Sequence, residues 1–338
     1  MALRFMDGFE LFTTRADLAA KYNNIAASDS NVLFATGRRG DGQSLKLYSG
    51  SGFVQKTLDD QDTWTVGFGL YFEALPTSGS GLVFFYDNTV NNQLTLAIDT
   101  AGQITMRRGS GTGTILCTSS ISLSVAVWYF VEAKIFISDT VGTVEIRVNG
   151  ETVATFSGDT KMTTLATANI IRLQGVSLGP IRIDDFYVCD GTGSANNSFL
   201  GDCRVDTLFP TGAGHTGFTP IGGVNNWENV ASALPLDETN YNSATLSETL
   251  DTFACADLST LSSTIFGVQE NISARKDDAG VREAASVARV GGTDYPGATH
   301  SLADSYLIYR QIWETNPNTA AAWTESEVNA SQFGYKVV

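Results

Sequence analysis

The side chains best able to do chemistry in this sequence are carboxylates set in strand-like segments: Glu132, Glu145 and the adjacent pair Asp184 and Asp185. Sugar hydrolysis on a strand needs two carboxyls on one face, one as acid and one as nucleophile or base. Residues two apart on a strand share a face, and adjacent residues point to opposite faces. Glu132 is followed two positions on by Lys134, and Glu145 by Arg147. Asp184 and Asp185 are expected on opposite faces. No carboxylate pair is therefore built by spacing, and the chain is expected not to be an enzyme.

The other reactive groups are sparse. The two histidines, His215 and His300, sit in loop-like, glycine-containing segments, with no motif for an activated serine or a helical zinc site around them. His215 is read as an interface or binding residue. Asp87, Asp99, Asp139 and Asp159 stand at turns, with Asn88 beside the first. Their oxygens would suit calcium, and the same residues are ordinary turn formers, without the spacing of a helix-loop-helix calcium site. Cys117, Cys189, Cys203 and Cys255 lack the paired spacing of a structural zinc site and read as free thiols, with Cys189–Cys203 as the one pairing to test. Trp64, Trp128 and Trp313 fall in apolar strands and read as core. Trp227 lies in a polar loop and is the candidate for an exposed contact with a sugar or a protein.

The elements that must position these groups are strands. Val144, Ile146 and Val148 alternate with Glu145 and Arg147, the period of a half-buried strand. Asn149-Gly150 then supplies a two-residue hairpin turn. Similar segments recur every 8 to 15 residues: 64–72, 82–86, 93–99, 103–107, 128–137, 152–156, 170–174 and 181–189. This rhythm predicts an antiparallel sandwich or barrel. The stretch 190–198 is polar and glycine-containing and reads as the linker at a domain boundary. Weaker strand signals return at 264–268, 272–275, 284–290 and 305–313. Thr324 and Glu327 carry the spacing of a helix capping box.

Composition sets limits on partners. Of 338 residues, 21 are basic and 36 acidic, a net charge of −15. The basic pairs Arg38-Arg39 and Arg107-Arg108 are isolated, so no nucleic-acid partner is expected. The longest apolar run, Val125 to Val131, is far short of the ~20 residues of a membrane helix. The start of the sequence lacks the apolar centre of a secretory leader, which gives the expectation of folding in a cytoplasm.

With these residues in view, a family resemblance emerges. The series Trp128, Lys134–Ile137, Asp139–Gly142, Val144–Val148, Asn149-Gly150, Val153 and Gly158-Asp159-Thr160 resembles laminin-G and concanavalin-like lectin sandwiches. Ile183–Gly191 is similar to the last strand of that fold. The segments Gly201–Pro210, Asn226-Trp227 and Asn316–Val338 resemble the tail that follows such sandwiches in tailed-bacteriophage virion proteins. The resemblance implies an all-β protein: a concanavalin-like, jelly-roll type antiparallel sandwich over residues 1–191, a linker over 192–210, and a smaller β-rich domain over 211–338. It implies a non-enzymatic structural component of a phage tail or decoration, located in the virion, with other virion proteins as partners and a homo-oligomeric state. The alternative is a glycan- or receptor-binding module on the particle surface that meets a host glycan, and a further one is a polysaccharide hydrolase. Laminin-G-like domains sometimes bind calcium at loop aspartates, so calcium is the cofactor that the resemblance would add.

Overall fold

The computed structural model describes residues 2–177, 179–234, 238–258 and 264–338. Met1 and the 235–237 part of the long polar region lie outside them. The chain forms two compact units, one of residues 1–10 and 14–205 and one of residues 11–13 and 206–338.

The first unit is an antiparallel sandwich of fifteen strands among the described residues: β1 (Leu3–Asp7), β2 (Asn24–Ile25), β3 (Val32–Thr36), β4 (Gln43–Leu47), β5 (Phe53–Gln61), β6 (Thr63–Phe72), β7 (Ser80–Tyr86), β8 (Asn92–Ile98), β9 (Gln103–Arg108), β10 (Thr114–Ser122), β11 (Trp128–Phe136), β12 (Gly142–Val148), β13 (Glu151–Gly158), β14 (Ala168–Gln174) and β15 (Ile181–Asp190). One sheet runs β13-β12-β11-β6-β15-β4-β3, with β1 added on β15. The other runs β10-β9-β8-β7-β14-β5-β2. Neighbours in each sheet that are far apart in sequence give the jelly-roll type of connection. The alternation in β6 explains the core: Trp64, Val66, Phe68, Leu70 and Phe72 are fully buried. Trp64 donates its indole N–H to the Ala168 carbonyl on the opposing sheet at 2.9 Å, so this face of β6 looks into the sandwich. Strands β2, β5 and β10 have no counterpart in the sequence-based reading. β10 ends its sheet and exposes Ile115 and Ile121, so its pattern never showed a buried stripe.

The second unit contains β16 (Pro210–Thr216), β17 (Thr219–Ile221), β18 (Tyr241–Ser243), β19 (Leu250–Cys255), β20 (Val268–Ala274), β21 (Glu283–Val290), β22 (Thr293–Ser301), β23 (Leu307–Trp313), helix α1 (Glu325–Ala330) and β24 (Gln332–Val337). Its main sheet runs β16-β19-β24-β21-β22, with β17-β18 and β20-β23 as separate two-stranded antiparallel sheets. Ala288, Val290, Trp323 and Val328 form one buried cluster in it, with Trp313 and Phe333 packed against them. Thr324 caps α1 and Glu327 returns the bond, the capping box that the sequence predicts. Among the described residues, no helix is long and apolar enough to cross a membrane.

Two expectations change. The residues read as the linker continue on the first unit as far as Val205 instead of leaving the sandwich at 191. Glycine and small polar residues signal irregular backbone, and irregular backbone can still be packed. None of the four cysteines is joined in a disulfide, so there is no Cys189–Cys203 bridge.

Candidate functional site

The site lies on the outer face of the sheet that contains β6. Directly paired residues of neighbouring strands share a face. Since the even-numbered residues Trp64 to Phe72 point inward, the odd-numbered ones point out, and so do their partners. Tyr71 on β6 pairs with Trp128 on β11 and with Arg182 on β15. Arg182 pairs with Lys46 on β4, and Lys46 with Leu33 on β3. The result is one row, Leu33–Lys46–Arg182–Tyr71–Trp128, across five adjacent strands. At about 4.8 Å between strands it is about 19 Å long.

Contacts along the row fix its shape. The Tyr71 and Trp128 rings are 5.3 Å apart and tilted. The Arg182 guanidinium sits 5.0 Å from the Tyr71 ring centre. Glu73, two residues past Tyr71, accepts Arg182 Nε at 2.8 Å and Arg182 Nη2 at 2.6 Å, both on Oε1. Lys46 Nζ donates to Glu73 Oε2 at 2.8 Å and lies 5.0 Å from the Tyr48 ring. Burial alone would raise the Glu73 carboxyl, but the bonds from Lys46 and Arg182 outweigh it and hold Glu73 below the usual carboxylate range. Tyr71, Trp128, Lys46 and Arg182 are all partly accessible, and Leu33 is 42% exposed.

Beside the row, the face over β6, β11 and β15 is closed. Gly69 and Phe130 follow Tyr71 and Trp128 one register step away on the same face. The Arg38 guanidinium covers the Phe130 ring at 5.0 Å, and a Cβ at Gly69 would come within 2.8 Å of Arg38 Cδ. Glycine is therefore what lets Arg38 lie flat here. At Gly67 a Cβ would fall 2.1 Å from the Tyr187 ring, so glycine is needed there as well. The segment 197–205 completes the cover. Lys134 donates to Ser198, Tyr187 donates to Glu132, and the Leu200 and Gly201 amides donate to Tyr187 Oη and Glu132 Oε1. Arg147 stacks on Phe199 at 3.9 Å.

Asp184 and Asp185 depart from simple alternation. A register irregularity separates Asp184 from Tyr187, and Asp185 has φ of 50°, in the left-handed region. The bulge turns both carboxylates to Arg38: its backbone N–H donates to Asp184 at 2.6 Å and its Nε to Asp185 at 2.9 Å. Arg38 Nη2 also donates to Asp202 at 2.6 Å and to the Cys203 carbonyl at 2.9 Å. Burial, with the neighbouring charge of Asp185, pushes Asp184 up to about 7. Burial likewise raises Asp185, against the pull of the Val205 amide and Arg38. The expected opposite-face placement is thus corrected, and the two acids serve to hold Arg38.

The residues singled out from sequence lie elsewhere. Asp87 accepts from the amides of Thr89 and Asn91, both at 2.9 Å, and Asp99 from those of Ala101 and Gln103, both at 2.9 Å. Asp159 takes the Lys161 amide and pairs with Arg108, and Asp139 lies 3.7 Å from Lys161. Among the described residues, no three histidine, cysteine or acidic groups gather as metal ligands. In the second unit, Trp227 is half-buried before the short turn Glu228–Val230. His215 Nε2 stands 3.7 Å from Asp294, which also accepts from Arg289. Trp227 and His215 share no bond, ion pair or ring contact among the described residues.

Trp128 is the residue that the sequence reading misplaced: it is on the outer face rather than in the core. The signal was present. Glu132 and Lys134 must face out beside Val131, Ala133 and Ile135, and Trp128 is in phase with the outward set.

No family model matches the chain, and no curated protein matches it. Among solved structures, it is similar to the "Cellulose induced protein, Cip1", with 12% identity over 46% of this chain and 84% of that one, at a TM-score of 0.37. The carbohydrate-binding module CBM66 from Bacillus subtilis gives 11% identity over 49% of this chain and 98% of that one, at 0.34. Trypanosoma rangeli sialidase gives 14% identity over 49% of this chain at 0.34, and the match spans only 29% of the sialidase. These likenesses are low.

Proposed function

We propose that this protein is a non-enzymatic glycan-binding β-sandwich, and that the glycan lies along the row Leu33–Lys46–Arg182–Tyr71–Trp128. The observation that carries this reading is the row itself. Single accessible apolar side chains are ordinary on a protein surface, but Trp128, Tyr71 and Leu33 are aligned in one row with charged groups fixed between and beside them, the mixed lining of a binding surface. Sugar rings have apolar faces that pack on aromatic rings and hydroxyls that bond to charged groups. The row offers both, held by a rigid sheet rather than by a loop. No feature of the structure and no comparison points to a phage particle, so the virion reading is not carried further.

The test is binding of the full-length protein to a glycan array, repeated with Trp128→Ala and Tyr71→Ala. Binding to at least one class of glycan is expected, with about a tenfold loss for Trp128→Ala, the equivalent of ~1.4 kcal/mol. Absence of any glycan binding, or equal binding by the Trp128 variant, would refute it.

A further inference from the structure

We infer that the glycan held by this row is acidic, its carboxylate meeting Arg182. This deepens the reading above and rests on it. Three charged side chains lie in or beside the row, Lys46, Arg182 and Glu73, and both cations converge on the one carboxylate. The cluster therefore carries one net positive charge, on a chain whose overall charge is −15. The nearest further acid on the same face is Asp184, two residues along β15, and it is buried and engaged by the Arg38 and Asp185 amides.

The geometry gives that charge a direction. Glu73 uses Nε and Nη2 of Arg182, both through a single oxygen. Nη1 donates to no group among the described residues. A planar guanidinium so held on one edge keeps three of its five N–H bonds, and one each from Nη1 and Nη2 can meet an incoming carboxylate side by side; charge-assisted bonds of this kind are the strong ones. The Tyr71 ring against Arg182 and the Glu73 bonds fix the side chain beforehand, so little freedom is lost on binding. The aromatic end, Tyr71 and Trp128, takes the sugar ring while Arg182, next to Tyr71, takes the acid group. A surface meant only for neutral sugars has no use for an excess cation on an otherwise acidic protein, which repels anions at long range.

The experiment compares α-1,4-linked trigalacturonate with galactotriose of the same linkage, by calorimetry on the full-length protein. These differ only in the carboxylates. The expected result is about tenfold tighter binding of the acid form in low salt. That preference shrinks as salt rises from about 0.05 to 0.5 M, because partly exposed charges are screened. Arg182→Gln should weaken the acid form at least several-fold more than the neutral one. Equal or tighter binding of galactotriose would overturn the inference while leaving the glycan-binding reading intact. A preference insensitive to both salt and Arg182→Gln would also overturn it. Failure of both sugars would overturn the inference, and an empty glycan array besides would overturn the reading as well.

Discussion

Replacing Arg38 by alanine should destabilise the first unit by about 3–5 kcal/mol at pH 8, the usual consequence of removing one partner of a buried ion pair. The side chains of Arg38 and Asp185 are only 9% and 6% exposed, so the pair is buried and solvent screening is small. Without the Arg38 side chain, Asp185 loses a 2.9 Å charged bond, and both acids lose the charge of the guanidinium. The bond to Asp202 adds little, since that carboxylate is half exposed. The sign of the pH dependence follows from the acids left behind. Both are already raised in the fold by burial, Asp184 to about 7 with Asp185 contributing, and loss of the cation raises them further. An acid raised in the folded state is harmless below its unfolded value near 4. It costs stability progressively as pH climbs towards the folded value. The variant should therefore be closer to wild type at pH 5 than at pH 8. Native-state hydrogen exchange of β6 and β15, corrected for the intrinsic rate at each pH, reads the first unit alone. Asp185→Asn added to the variant should recover part of the loss. A loss under about 1 kcal/mol, or an equal loss at both pH values, would refute this account of Arg38 as the clamp on two buried acids.

Other outcomes follow from the same geometry. Gly67→Ala should lower stability by about 1–3 kcal/mol, because the Tyr187 ring that it would strike is pinned by Glu132 and Leu200. An unchanged melting temperature would contradict that pinning. Relative to wild type, Asp184→Asn should gain stability steadily as pH rises from about 4 to about 7, since the variant has no acid to ionise in the unfolded chain. A flat difference in denaturant midpoints across that window would count against the raised value. Burial, followed by the charges of Glu132, Asp185 and Asp202, pushes the Cys203 thiol to about 12, and burial with Glu270 pushes Cys255 to about 11. Thiol reagents at pH 8 should label both slowly until denaturant is added, and rapid labelling of the native protein would show otherwise. Thr324→Ala should cost the second unit about 0.5–2 kcal/mol by removing the cap of α1, read by exchange of the α1 amides.

Most strands of the first unit, and hence its all-β class, were legible in the residues, because strand alternation is a local property with a fixed period of two. Trp64 to Phe72, Val144 to Val148 and the Asn149-Gly150 turn each state their own conformation. The capping box at Thr324 was legible for the same reason. What the chain could not state locally was which outward positions become neighbours. The row from Leu33 to Trp128 draws on residues 33, 46, 71, 128 and 182, and only the order and register of β3, β4, β15, β6 and β11 places them side by side. The bulge at Asp185 likewise depends on Arg38, 147 positions earlier, so no local rule could turn both acids to one cation. Hydrophobic periodicity sorts inside from outside, but contact across strands is set by pairing over long sequence separations. That is why the fold was readable and the candidate site was not.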